Sequence, residues 1–305
     1  MASAGARRCI DGVLLLDKPK GVSSNAALQR AKRLYRAQKA GHTGTLDPLA
    51  TGLLPICFGE ATKFAHLLLD ADKTYVATLR LGVTTTTGDA EGEVLATRPL
   101  AASAHRDLEG VLPRFVGRIA QVPPRHSALK HGGRKYYEYA REGVEIVRMA
   151  REVEVHAIAL GSWSGPDVEL RIHCGKGTYI RALAEDIGEA LGCGAHLVAL
   201  SRSGAGEFAL SDAITLDALA DLGEGERDGA LLPVDALVAR LNRLDFDDAE
   251  ATRLVQGRPV ARAGVPDGMV RVYAAGAFGG VADVREGVVQ ARRLVAQPPR
   301  RTTGA

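Results

Sequence analysis

The chain has 305 residues, 46% hydrophobic and 25% charged, with a net charge of +3. That length accommodates one large domain and a small one. No apolar run approaches the ~20 residues that a membrane span needs, and the apolar stretch at 10–16 is broken by Asp11 and Gly12, which argues against a signal peptide and for a cytoplasmic protein. Cys9, Cys57, Cys174 and Cys193 are scattered without CxxC spacing. Reduced, mostly buried thiols are expected, and neither a zinc site nor a redox pair is suggested.

Charge is segregated along the chain. Residues 1–40 hold nine Lys/Arg and two acids, residues 118–151 hold eight and three, and residues 213–235 hold one Arg against six acids. Such a distribution fits one basic face for a polyanion, or equally a set of solvated faces.

In chain order, 12–16 reads as a short buried strand, and the cluster at 17–21 as a turn. Ser23, Ser24 and Asn25 are candidate N-caps for a helix whose Ala27, Leu28, Ala31, Leu34 and Tyr35 recur at helical spacing, with Gly41 as its stop. A Gly/Thr/Pro loop follows over 41–52, then a helical stretch at 60–69. Residues 74–81 alternate strictly, with Tyr75, Ala77, Leu79 and Leu81 on one face, as do 168–174. Both predict half-buried strands. Ile180, Leu183, Ala184, Ile187 and Leu191 mark an amphipathic helix ended by Gly192. The acidic, Gly-containing stretch 221–229 predicts a surface linker, 247–254 a short helix, 257–296 a β-rich appendix, and 297–305 a frayed end. Strands and helices mix without a βαβ rhythm, so the fold class is α+β.

The loop Gly41-His42-Thr43-Gly44-Thr45-Leu46-Asp47-Pro48-Leu49-Ala50-Thr51-Gly52 stands out. Its glycines permit tight backbone and close approach of a ligand, and Pro48 biases Asp47 to an extended conformation. On composition alone, an aspartate in an Asp-Pro turn is more often structural than chemical. The string as a whole resembles the signature loop of the TruB family of pseudouridine synthases. Further blocks follow in order: Asp17-Lys18-Pro19 with Gly21 and Ser23-Ser24; Leu54-Pro55 and Gly59-Glu60-Ala61-Thr62-Lys63; Lys73-Thr74-Tyr75; Gln121-Val122-Pro123-Pro124 with Ser127-Ala128-Leu129-Lys130; Gly175 to Arg181; and Gly194-Ala195-His196-Leu197. Together they cover roughly residues 10–205.

The resemblance implies an isomerase that breaks the C1′–N1 bond of a uridine, turns the uracil and joins C5 to C1′, with no cofactor or metal. It implies tRNA as partner, its TΨC arm and position 55 in particular, with no obligatory protein partner. A monomer is expected. It implies a mixed, mainly antiparallel central sheet with flanking helices in a catalytic domain at 1–240, a thumb insertion at about 123–152, and a small PUA-like domain at 241–305 reaching the acceptor stem. The nucleophile falls on Asp47, and an aspartate, with an ordinary pKa near ~3.9, is ionised at neutral pH. Arg181 would keep that carboxylate charged. Tyr75 would pack on the flipped uracil, whose extrusion costs a few kcal/mol and whose stacking returns about 1–3 kcal/mol. Tyr179 and Leu200 would line the pocket, and His42 would push into the RNA arm. Lys18 would shape the floor and contribute weakly to RNA binding. In the thumb, Arg125, Lys130, Arg134 and Lys135 stand beside Tyr136, Tyr137 and Tyr139, a mixture suited to phosphates and bases.

Two positions depart from the family pattern: Thr86, where an acid is usual, and Ser201, where an arginine is common. Two rival readings are an RNA-folding protein that does not need Asp47, and a glycosidic hydrolase that needs a second carboxylate. Asp89 or Asp186 is the candidate for that second carboxylate.

Overall fold

The computed structural model describes residues 6–127 and 129–296. The expected frayed end at 297–305 and Ala128 of the thumb motif lie outside them.

Strand β1 (Gly12–Lys18) is apolar on consecutive positions because both of its faces are covered. Leu14 and Leu16 enter one apolar cluster, and Val13 and Leu15 enter another. Ser23 caps helix α1 (Ser24–Leu34), its hydroxyl accepting the Ala26 N–H at 3.2 Å. The central sheet continues with β2 (Thr51–Phe58), β3 (Lys73–Leu81), β4 (Gly117–Gln121), β5 (Arg151–Ser164), β6 (Asp167–Cys174), β7 (Ala195–Ala205) and β8 (Ile214–Thr215). Its order is β8-β1-β2-β7-β3-β6-β5-β4. The β1/β8 and β2/β7 pairs are parallel and the other pairs along this path antiparallel, so the sheet is mixed and mainly antiparallel as expected.

Alternation in β3 and β6 has the predicted consequence. Ala77, Leu79 and Leu81 bury together with Val168, Leu170 and Ile172, each large side chain contributing roughly 1.5–3 kcal/mol. Helix α2 (Ile180–Ala190) lays Ile180, Leu183, Ala184 and Ile187 on that cluster. Close contact with β7 requires Gly188, where a Cβ would stand 2.2 Å from the Ala195 nitrogen.

A second sheet follows, ordered Asn242–Phe246, Gly268–Ala274, Ala277–Arg285, Val288–Leu294, Val260–Ala261. Its helix, Asp248–Val255, is capped by Asp247, which accepts the Glu250 N–H at 2.8 Å. Phe278 of this sheet meets Phe64 edge-on at 5.5 Å, and Lys63 donates to the Leu294 carbonyl at 3.0 Å.

Two expectations are corrected. Gly41 does not stop α1: the helix ends at Leu34, Arg36 turns the chain with φ of +51°, and Gly41 lies in the strand Ala40–His42, which pairs with β2. Residues 221–229 are not a linker. They include the helix Glu224–Gly229, and Arg227 at its centre donates to the carbonyls of Leu34, Leu219 and Leu222. Tyr35 returns a bond to the Arg227 carbonyl, and Arg8 and Arg36 pair with Asp228 and Glu224. The acids that suggested solvent serve to fasten this segment to the N-terminal region.

Candidate active site

The signature loop is immobilised from both ends. The hydroxyl of Ser24, buried at the start of α1, accepts the Leu46 N–H at 2.7 Å and donates to the Leu46 carbonyl at 2.9 Å. Thr43 N–H bonds Pro55 O at 3.1 Å, Gly21 N–H bonds Pro48 O at 2.8 Å, and Ala50 N–H closes a turn onto Asp47 O at 3.1 Å. From β7, buried Arg202 donates to Leu53 O at 2.7 Å and to Gly44 O at 3.2 Å, joining the two flanks of the loop. Gly52 carries φ of +98°, and Arg202 backbone occupies the space a Cβ would need, so the position requires glycine on both counts. Asp47 is thereby presented on a fixed turn.

Its side chain is 41% exposed at the edge of a cavity of about 300 Å³ lined by Asp47, Tyr75, Tyr179, Arg181, Leu200 and Arg202, among others. Nη2 of Arg181 lies 3.0 Å from Oδ2 of Asp47. The arginine belongs to the first turn of α2 and is buried, so its orientation is set by further partners. It donates to Thr87 O at 3.1 Å and to His126 O at 2.7 Å, and its Nε faces Oδ2 of Asp89 at 3.5 Å. Asp89 is itself buried and accepts from the Glu91 N–H at 3.1 Å and from the Thr87 hydroxyl. A guanidinium held by fixed acceptors on its other edges is preorganised toward the one carboxylate facing the cavity.

Tyr179 caps α2, and its backbone is gripped by the buried Gln121 amide, which donates to Tyr179 O at 3.1 Å and accepts its N–H at 2.9 Å. Burial raises the pKa of both Tyr75 and Tyr179, so each ring enters the cavity as a neutral phenol. His42 is half-buried at the end of the short strand Ala40–His42, where the loop begins. Its Nδ1 has no partner among the described residues, and burial, then Arg202, lowers its pKa.

The structure thus brings Asp47, Tyr75, Tyr179, Arg181 and Leu200 to one cavity. It does not bring Lys18 to an RNA-facing position. That ammonium is enclosed, donates to Pro19 O at 2.9 Å and Val22 O at 2.6 Å, and has its pKa pushed down to about 8 by burial. Its part is structural, and the RNA-contact assignment is corrected. In the segment expected to form a thumb, Lys130–His131 and Arg134–Lys135 form a hairpin leading into the helix Tyr136–Arg141. Arg125 and Arg134 pair with Glu145 and Glu142, and Arg134 also lies over the Tyr139 ring at 4.7 Å. Ser24, Gln121, Asp89 and Arg202 are the residues whose positioning roles sequence reasoning missed. Ser24, Gln121 and Arg202 lie in or near family-like blocks, which were the available signal, whereas Asp89 follows the departing position Thr86 and carried none. Asp89, proposed as a hydrolase's second carboxylate, is instead committed to Arg181, and Asp186 is exposed and does not line the cavity.

The chain is similar to known proteins along most of its length. Residues 32–180 match the model of the TruB family pseudouridylate synthase N-terminal domain, 181–239 the tRNA pseudouridylate synthase B C-terminal domain, and 243–295 the pseudouridine synthase II TruB C-terminal domain. The chain is 57% identical over 301 residues to the tRNA pseudouridine synthase B of Burkholderia mallei (strain NCTC 10247), covering 95% of this chain and 98% of that one. It is 56% identical over 292 residues to the corresponding protein of Thiobacillus denitrificans (strain ATCC 25259 / T1), covering 95% and 98%. A solved Cbf5–Nop10–Gar1 complex contains a similar chain, with TM-score 0.72 and 26% identity, covering 96% of this chain and 90% of that one. With such identity along nearly its whole length, the chain belongs to the TruB family of pseudouridylate synthases, which are isomerases.

Proposed function

We propose that this chain converts uridine to pseudouridine in the T arm of tRNA, at position 55, with Asp47 as nucleophile. The observation that carries the reading is the Asp47–Arg181 pair at the cavity edge. It supplies a half-exposed carboxylate paired with an arginine whose other partners fix its orientation.

The uridine leaves its stack and enters the cavity between Tyr75, Leu200 and Tyr179, the phenol ring of Tyr75 replacing part of the lost stacking. Asp47 forms a transient covalent bond to the nucleotide, the C1′–N1 bond breaks, the uracil turns, C5 bonds to C1′, and the Asp47 bond then breaks to return the free carboxylate. The C5 proton departs and N1 takes one up, so the product is an isomer and no external oxidant, reductant or group donor is consumed. His42, at the start of the loop, holds the opened RNA arm. Arg125, Lys130, Arg134 and Lys135 of the thumb, residues 123–152, grip the phosphates. The unit from residue 241 onward, PUA-like, reaches toward the acceptor stem, and residues 1–240 carry the chemistry. The chain works in the cytoplasm as a monomer without an obligatory protein partner, and a role in tRNA folding accompanies the reaction. No helix among the described residues is long and apolar enough to cross a membrane.

Carbodiimide labelling with primer extension on unmodified tRNA tests the site of action. A stop at U55, lost when that base is cytidine, is the expected result. Modification at another uridine, with U55 untouched, would overturn the assignment.

A further inference from the structure

Strand pairing assembles a cluster away from the cavity that residue spacing does not reveal. His156 of β5, His173 of β6 and Asp72, at the turn before β3, bring one ligand atom each to within 4.8 Å of one another. Nε2 of His156 lies 3.2 Å from Oδ1 of Asp72, and Nε2 of His173 lies 4.0 Å from Oδ2. The two imidazoles sit 4.7 Å apart.

Their convergence has a structural cause. The β5/β6 register shifts between Val155 and Ala157, so Val155 faces Cys174 while Ala157 already faces His173. His156 is the extra residue of a β-bulge, a device that re-aims a side chain, and here it joins His173 and Asp72. Asp72 is fixed in turn, because its carbonyl accepts the Gly206 N–H at 2.9 Å.

We propose that Asp72, His156 and His173 form a binding site for a divalent transition metal ion, with Zn²⁺ as the fitting species. Two imidazoles and one carboxylate are borderline ligands suited to Zn²⁺, Ni²⁺, Co²⁺ or Cu²⁺, whereas Mg²⁺ and Ca²⁺ prefer oxygen alone. Bonds of about 2.0–2.1 Å in a tetrahedron place ligand atoms roughly 3.3 Å apart, which the His156–Asp72 separation already matches. His173 reaches the same spacing by a small movement of an exposed ring. Three protein ligands leave the remaining position open to water.

The ion would tie the turn at 70–72 to β5 and β6. Leu69 and Lys73, on either side of that turn, both line the catalytic cavity. The site therefore braces the cavity's rim from outside and takes no part in the chemistry.

The test uses full-length protein stripped with chelator and dialysed, in a Cys9→Ser background to remove the exposed thiol as a competing ligand. Zn²⁺ is titrated by calorimetry, and Co²⁺ is followed by its visible absorption. One ion per chain is expected, undisturbed by millimolar Mg²⁺. His156→Asn and His173→Asn, both exposed and tolerant of exchange, should each weaken binding by more than about tenfold. They should also abolish the rise in melting temperature that Zn²⁺ gives the parent. Absence of binding in the parent would overturn the proposal and leave Asp72 and His156 as a hydrogen-bonded pair. Equal binding in parent and variants would overturn it too, placing the ion elsewhere.

Discussion

Arg181 holds Asp47 at 3.0 Å with the same guanidinium whose Nε faces Asp89, so one buried arginine is shared between a cavity-facing carboxylate and an enclosed one. The exposed member is free to meet a substrate, and the enclosed member fixes the arginine. Replacing Arg181 with Lys keeps the charge but loses the planar fork that reaches Thr87 O, His126 O and both aspartates. Turnover is expected to fall by about 10²-fold or more, the scale for removing an oriented electrostatic partner, with RNA affinity little changed. Single-turnover rates beside filter-binding affinities check this. Parallel loss in both would point to a folding defect.

Asp89→Asn preserves shape while removing the charge behind Arg181. The arginine then relaxes away from its productive position, and turnover is expected to drop by about 10- to 10²-fold without a matching rise in KM. A wild-type turnover number for this variant would show that Asp89 only fills space.

At Gly52, a methyl group would stand 2.5 Å from Arg202 O and 2.8 Å from Arg202 N, at a φ of +98°. Gly52→Ala must therefore separate β2 from β7 beneath the signature loop. A loss of at least about 2 kcal/mol is expected, a fall of about 3 °C or more in Tm for a chain of this size. Activity should fall further than stability, because the loop that presents Asp47 shifts with β2. Calorimetry and initial rates on the same preparation separate the two effects.

Lys18 gives a pH signature. Its pKa is lowered from 10.5 to about 8 in the folded chain, chiefly by burial. Between those values the unfolded chain binds more protons, so the Lys18 contribution to stability rises with pH across that window and is flat below pH 8. The full rise is on the order of 3 kcal/mol, at about 1.4 kcal/mol for each pH unit. Urea unfolding of wild type and Lys18→Met across this range should give curves that diverge above pH 8. Parallel curves would contradict the burial of a charged amine.

Much of this was legible in the sequence where one local rule acts alone. Alternation in β3 and β6 named the buried faces, one of the three candidate caps, Ser23, starts α1, and the ordered blocks pointed to Asp47, Tyr75 and Arg181, which share one cavity. What escaped depends on pairing between distant segments. Gly41 looked like a helix stop because glycine often is one, yet the chain turned at Arg36, leaving Gly41 to pair with Cys57. The acids at 221–229 looked solvated because their partners, Arg8 and Arg36, lie some two hundred residues earlier. Arg202 and Gln121 act on backbone carbonyls and amides, and such partners carry no residue-type signal.

The central claim is that Asp47 performs an isomerisation, and tritium release from tRNA labelled at uridine C5 tests it most directly. Forming the C5–C1′ bond expels the C5 hydrogen, so wild type should release one tritium per pseudouridine made. Asp47→Asn, which keeps the loop's size and RNA binding, should release none. Release at the wild-type rate from Asp47→Asn, or none from wild type on a tRNA that it binds, would contradict the account.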